Sequence, residues 1–262
     1  MPDETHSGHR GRLRERYARG GAEGFLDHQF LELLLTYAIP RRDTNEIAHA
    51  LLERFSSLEG VFGAEIAQLM LVEGIGESTA VFLRMQGDLF RRLLLRRASD
   101  ARGNVRLNTP AAAAKYAAAL FALHTYESVA VVCLNAKMIV SSSEPLQRGT
   151  LNEALIYPRN VAETALLRRA HGILLVHNHP SGDPSPSKED AETTEAVRTA
   201  LESVGVRLFD HMIVGGSNVY SFSAHAVIDT RGDGTAAFAL EEFQARRSQP
   251  QPPLLKKVME SY

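Results

Sequence analysis

The stretch His177-Asn178-His179-Pro180-Ser181-Gly182-Asp183-Pro184-Ser185-Pro186-Ser187-Lys188-Glu189-Asp190 concentrates the residues able to do chemistry. It follows the apolar run Ile173-Leu174-Leu175-Val176, whose length and β-branched content predict a buried strand. Side chains alternate along a strand, so His177 and His179 fall on one face, about 7 Å apart along the backbone. Two imidazoles on one face begin a divalent-metal site, and Asp190 is placed to add a carboxylate oxygen. Two nitrogens and one oxygen leave a fourth tetrahedral position for water, the pattern of a catalytic zinc site. A closed structural site would use cysteines, and this chain has only Cys133. Pro180, Gly182, Pro184 and Pro186 turn and stiffen the connection before Ser187 opens a helix. Ser187-x-x-Asp190 also reads as a capping box, which needs no metal; a cap and a ligand can share one helix start.

His-x-His-Pro, then Ser187, then Asp190 resembles the complete motif of the JAMM (MPN+) metalloproteases. His-Asn-His-Pro-Ser-Gly-Asp-Pro and Asp210-His211-Met212-Ile213-Val214-Gly215 resemble the RadC branch of that family. The likeness runs from about His9 to Ala226. It implies an α/β fold: a mixed-sheet JAMM/MPN (cytidine-deaminase-like) domain preceded by a small all-α helix-hairpin-helix domain. It implies one Zn2+ per chain on His177, His179 and Asp190. The reaction implied is amide hydrolysis of a peptide or protein substrate by a zinc-activated water, as in a metallopeptidase or isopeptidase. Glu127, just after the first helix of the domain, matches the family's proton-accepting glutamate. Ser187 matches the hydroxyl that donates to the oxyanion. Glu144 and Glu153 lie closer in sequence to the histidines but do not follow that first helix. The bland alternative for Glu127 is a solvated carboxylate at a helix–strand junction. Ala130 stands where deubiquitinating relatives carry glycine, which bears on substrate class.

Three neighbours of the motif have open readings. His211 lies in an apolar strand, and a packed, hydrogen-bonded core histidine is its simplest role. Tyr157-Pro158-Arg159 resembles a family element that begins with His; Arg159 either pairs with a carboxylate or lines the site. Asp183 sits in the loop and reads as solvated.

With 262 residues and 44% apolar content, the chain can bury a sizeable core in one or two domains. Its formal net charge of -2 excludes a uniformly basic nucleic-acid glove. The single cysteine excludes an internal disulfide and fits a reducing compartment. Without an apolar leader or a membrane-length apolar run, the expectation is a cytoplasmic protein with no membrane partner. Residues 1–8 read as a disordered leader and 9–101 as the all-α domain. Residues 102–108 read as a linker, 109–228 as the metal-binding domain and 229–262 as a flexible C-terminal tail. Thr109 and Pro110 should cap and start the helix that opens the second domain. Asp43 can cap a helix in the first. Strands are expected near 128–134, 138–142, 153–157, the His-x-His segment, 206–214 and 219–222.

Within the helical part, Leu71-Val72-Glu73-Gly74-Ile75-Gly76-Glu77 resembles a helix-hairpin-helix. Gly74, Ile75 and Gly76 are then candidates for contact with a DNA phosphate, without sequence readout. Glu73 and Glu77 flank the turn, and a purely structural turn or a protein-facing surface is the alternative. Three functional readings follow. One is the zinc hydrolase, with a link to DNA repair or recombination. The others are a non-catalytic DNA-binding accessory protein with a structural metal, and a metal-dependent nuclease. A single zinc on two histidines and one aspartate suits phosphodiester cleavage less well than a paired-metal site does.

Overall fold

The computed structural model describes residues 4–40, 42–97, 99–100, 103–148, 156–232, 237–242 and 244. It divides into two units, Met1–Arg97 with Ala122–Thr125, and Ala98–Phe121 with Tyr126–Tyr262.

The first unit is helical: α1 (Glu4–Gly20), α2 (Asp27–Ala38), α3 (Asn45–Phe55), α4 (Leu58–Gly63), α5 (Ile66–Leu69) and α6 (Glu77–Arg97). Leu31, Leu35, Ile47, Leu51, Val61, Leu69 and Leu83 form its core. Helix α1 begins inside the stretch read from sequence as a disordered leader. Thr44 rather than Asp43 occupies the N-cap of α3, although the Asp43 carboxylate accepts from Asn45 N at 2.9 Å. The six-residue α4 is too short to show a helical period in the sequence. Its cap is visible only in three dimensions, where the Ser57 hydroxyl accepts from Gly60 N at 3.1 Å.

The second unit opens with α7 (Pro110–Leu120). The Thr109 hydroxyl accepts from Ala112 N, and Pro110 holds the first helical position. Then come β1 (Ser128–Leu134), β2 (Val140–Arg148), α8 (Pro158–Leu167), β3 (Gly172–Asn178), α9 (Lys188–Ser203), β4 (Arg207–Gly215), β5 (Asn218–Ser221), β6 (Ala226–Asp229) and β7 (Ala237–Ala239). The strands form one sheet in the order β2-β1-β3-β4-β5-β6-β7. Among the described residues only β3 and β4 are parallel neighbours; the other pairs are antiparallel. The chain is thus mixed α/β, a helical region followed by a mixed sheet.

Three readings of the sequence need correction. Residues 105–107 are not a loose linker. Val105 bridges to Ser99, Arg106 bridges to Ile139, and buried Leu107 donates its N–H to Met138 O. The tail does not become irregular at 229, because β7 pairs with β6 and Phe238 packs on Ile213, Tyr220 and Val227. A three-residue strand is too short for alternation to reveal it. Of the strand expected at 153–157, residues 153–155 lie outside the described residues, and Ile156 and Tyr157 are not in a strand. The Pro-rich segment 249–253 and the residues after it also lie outside the described residues.

One irregularity in the sheet governs the rest. On β3, Ile173, Leu175 and His177 share a face, which packs on Val197 and Leu201 of α9. Ile173 pairs with Leu208 of β4, but the next residue, Leu174, pairs with Asp210. Phe209 is therefore an extra residue in β4, a bulge that reverses the alternation beyond it. Strict alternation from Leu208 would turn His211 away from α9; the bulge turns it toward α9 and beside His177. Gly172 makes room for it. A Cβ there would lie 2.4 Å from a Phe209 ring carbon and 2.7 Å from Arg207 O. Gly172→Ala should destabilise the protein by about 1–3 kcal/mol through overpacking. Denaturant unfolding checks this, and a variant as stable as wild type would show that Phe209 moves aside freely.

Candidate metal centre

His177 stands at the end of β3, His179 just beyond it, and Asp190 in the first turn of α9. His177 is buried, while His179 and Asp190 are partly exposed. His177 Nε2 lies 3.0 Å from His179 Nε2 and 3.2 Å from Asp190 Oδ1. His179 Nε2 is 3.9 Å from Asp190 Oδ2. All three potential ligand atoms fall within 4.8 Å of one another.

The local sequence accounts for this approach. His179 N donates to Val214 O, which carries the β3 line one residue past the strand. Asn178, whose side chain points to the opposite face, accepts from Ser128 N and donates to Tyr126 O. The capping box is formed as well: the Ser187 hydroxyl accepts from Asp190 N, and Asp190 Oδ2 accepts from Ser187 N at 2.8 Å. The Ser187 hydroxyl also donates to Asp190 Oδ2, at 2.7 Å. The cap therefore holds the carboxylate toward the histidines.

The donor set fits a divalent cation. His179 Nδ1 is 2.8 Å from the Asp183 carbonyl oxygen, which can only accept, so Nδ1 carries the hydrogen and Nε2 a lone pair. For Asp190, burial alone would raise the carboxyl. The nearness of His177, 3.2 Å away, and the two hydrogen bonds from Ser187 outweigh burial and hold it below the usual carboxylate range. An anionic oxygen and imidazole nitrogens at this spacing suit zinc or a similar borderline ion.

The other candidates are placed as follows. Glu127 is half-buried, immediately before β1, and is not part of the three-residue cluster. Glu144 is engaged by Arg168 at 2.9 Å, and Glu153 lies outside the described residues. The Arg159 guanidinium lies over the Tyr157 ring, 5.8 Å from its centre. The Asp183 carboxylate accepts from Ser185 N, and its carbonyl orients His179. In the helical unit, Gly74 has φ +91°, buried Ile75 anchors in the core, and Gly76 precedes α6.

His211 is hydrogen-bonded and packed as expected of a core histidine, but its partner is a motif residue. Its Nε2 is 2.8 Å from His177 Nδ1, its Nδ1 is 2.6 Å from Thr194 Oγ1, and its ring stacks on Phe222. Sequence reasoning missed Thr194 altogether. Threonine at a buried helix position carries no signal of its own, and only its spacing four residues after Asp190 could have drawn notice.

Residues 107–227 match the family model described as a RadC-like JAB domain, and residues 6–81 match the one described as UPF0758 N-terminal. A UPF0758 protein of Fusobacterium nucleatum subsp. nucleatum is 32% identical over 87% of this chain and 100% of its own length. The chain belongs to the RadC (UPF0758) family. Further UPF0758 relatives in Ruegeria pomeroyi and a Janthinobacterium species are 36% and 35% identical. They align over 84% and 82% of this chain and over 97% and 94% of their own lengths. Their names state no reaction. Among the described residues of this RadC-family chain, no helix is long and apolar enough to cross a membrane.

Burial holds the His211 imidazole well below the usual histidine range; the neighbouring His177 adds to this and the charge of Asp190 opposes it. The folded state thus keeps His211 neutral, whereas the unfolded ring takes up a proton near pH ~6.5. Stability of the zinc-free protein should fall as pH drops below about 6.5, by up to ~1.4 kcal/mol per pH unit from this residue. Asp210 acts with the opposite sign, since burial raises its carboxyl despite hydrogen bonds from Ser221, Ser223 and His211 N. Denaturant titrations between about pH 7 and pH 5.5 check the effect. His211→Asn should flatten the dependence, and an equally steep curve would contradict a neutral buried ring.

Proposed function

We propose that this chain is a zinc-dependent hydrolase of the JAMM type, a metallopeptidase or isopeptidase that cleaves an amide bond in a peptide or protein. The observation that carries the reading is the convergence of His177 Nε2, His179 Nε2 and an Asp190 carboxylate oxygen within 4.8 Å. Membership of a family with a RadC-like JAB domain supports it. His177, His179 and Asp190 would hold the ion. A bound zinc would supply acidification of water and polarisation of a carbonyl.

Glu127 then serves as the base. Its carboxylate takes a proton from the attacking water and returns it to the leaving amine. The sheet register supports this role. Val129 pairs with His177 in antiparallel sense, so the backbone two residues earlier runs past the His179 end of β3. Asn178 brackets Glu127 by bonding both Tyr126 O and Ser128 N. The Ser187 Oγ hydrogen, directed at Asp190 Oδ2 in this structure, turns toward the substrate oxyanion when it serves as its donor. Among the described residues the cluster has a single carboxylate, which favours amide hydrolysis over a nuclease with paired metals. The tight Gly74–Gly76 turn supports recruitment to DNA by the helical unit as a further part of the reading.

Elemental mass spectrometry and turnover together test the proposal. Wild type should carry one zinc, and His177→Ala and Asp190→Ala should lose it. Glu127→Gln should keep the metal and lose about 10²–10⁴-fold in turnover on a peptide and isopeptide panel. A wild-type chain that takes up no zinc when supplied would reject the hydrolase. Turnover of DNA without turnover of amides would replace it with the nuclease.

A further inference from the structure

A histidine that binds a metal through one ring nitrogen must present a bare lone pair there and carry its hydrogen on the other. For His177 the choice is made two residues away from the metal ligand. Thr194 Oγ1 lies 2.6 Å from the Asp190 carbonyl oxygen and 2.6 Å from His211 Nδ1. The carbonyl can only accept, so the one hydroxyl hydrogen of Thr194 goes to it. The hydroxyl oxygen then accepts from His211 Nδ1–H. His211 Nε2 and His177 Nδ1, 2.8 Å apart, share the one remaining hydrogen. Were that hydrogen on His211, the ring would be a cation at 0% exposure, with no carboxylate among its hydrogen-bond partners. The hydrogen therefore sits on His177 Nδ1, and the lone pair on Nε2 faces His179 and Asp190.

We propose that Thr194 and His211 are positioning residues that fix the tautomer and ring plane of His177 for zinc, an inference that rests on the metal-centre reading above. The relay closes on itself, because the carbonyl that sets its direction belongs to Asp190, a second ligand. Three hydrogen bonds thereby lock β3, β4 and the start of α9 into one frame around the ion. His211 can take part only because the extra residue Phe209 turns it to this face. His179 needs no such relay, since the Asp183 carbonyl does the same work from the loop.

The test compares full-length wild type with Thr194→Val, which keeps the shape and removes the hydroxyl, and Thr194→Ser, which keeps the hydroxyl. Zinc affinity is measured by competition with a chromophoric chelator. The Val variant should bind about 10–100-fold more weakly, and the Ser variant close to wild type. Long-range proton–nitrogen NMR of the zinc-free protein reads the tautomers directly. In wild type His177 should carry its hydrogen on Nδ1, and in Thr194→Val it should be divided between the two nitrogens. Wild type with the hydrogen on His177 Nε2 overturns the proposal without recourse to any variant. So does wild-type zinc binding that Thr194→Val leaves unchanged, or that Thr194→Ser weakens as much as Val does. A wild-type chain that binds no zinc fails differently, removing the metal centre and this relay together.

Discussion

Two imidazole nitrogens and a carboxylate oxygen face one another at the end of β3, and none of the three brings a hydrogen to the others. Such a cluster is unfavourable in a partly dehydrated setting unless a cation joins it. Each acceptor is held from behind by a different donor or acceptor. The Asp183 carbonyl takes the hydrogen of His179, His211 takes that of His177, and Ser187 donates twice to Asp190. Relaxing any one of these would let its side chain turn away, so the surroundings of the centre are as constrained as the centre itself.

The sheet order makes this arrangement possible. Parallel neighbours need a crossover connection, and the parallel pair β3 and β4 is joined through α9. A crossover helix starts near the carboxyl end of the strand that precedes it, where open α/β sheets place their ligands. The strand end supplies both histidines, and the first turn of the helix supplies the aspartate. Its position in that turn also suits a carboxylate electrostatically, next to the positive end of the helix. Buried Ile173, Leu175, Val197 and Leu201 hold strand and helix together beneath the site.

β4 adds a second buried polar layer. Asp210 is bound by Ser221, Ser223 and the His211 N–H, which secures the strand where the bulge has just disturbed it. The network satisfies the carboxylate without neutralising the penalty of burial, so its carboxyl is pushed up. Phe222 stacks on His211 from the same turn, which leaves the imidazole little freedom to rotate.

The ligand motif, the capping box, the β3 run and most helices were legible in the sequence, because each is set by residues a few positions apart. Thr109-Pro110 and Gly74-Ile75-Gly76 belong to the same class, since caps and tight turns are local events. The placement of His211 was not legible. Its alternation with Leu208 points the wrong way until the strands pair and Phe209 is squeezed out over Gly172. Likewise Thr194 acquires a role only when α9 lies across β4, and residues 105–107 gain their bridges, and 237–239 their place in the sheet, only by finding partners elsewhere along the chain. The sequence by itself determined which side chains could hold a metal. Register and packing, which depend on contacts between distant segments, decided how those side chains are oriented and where their hydrogens sit.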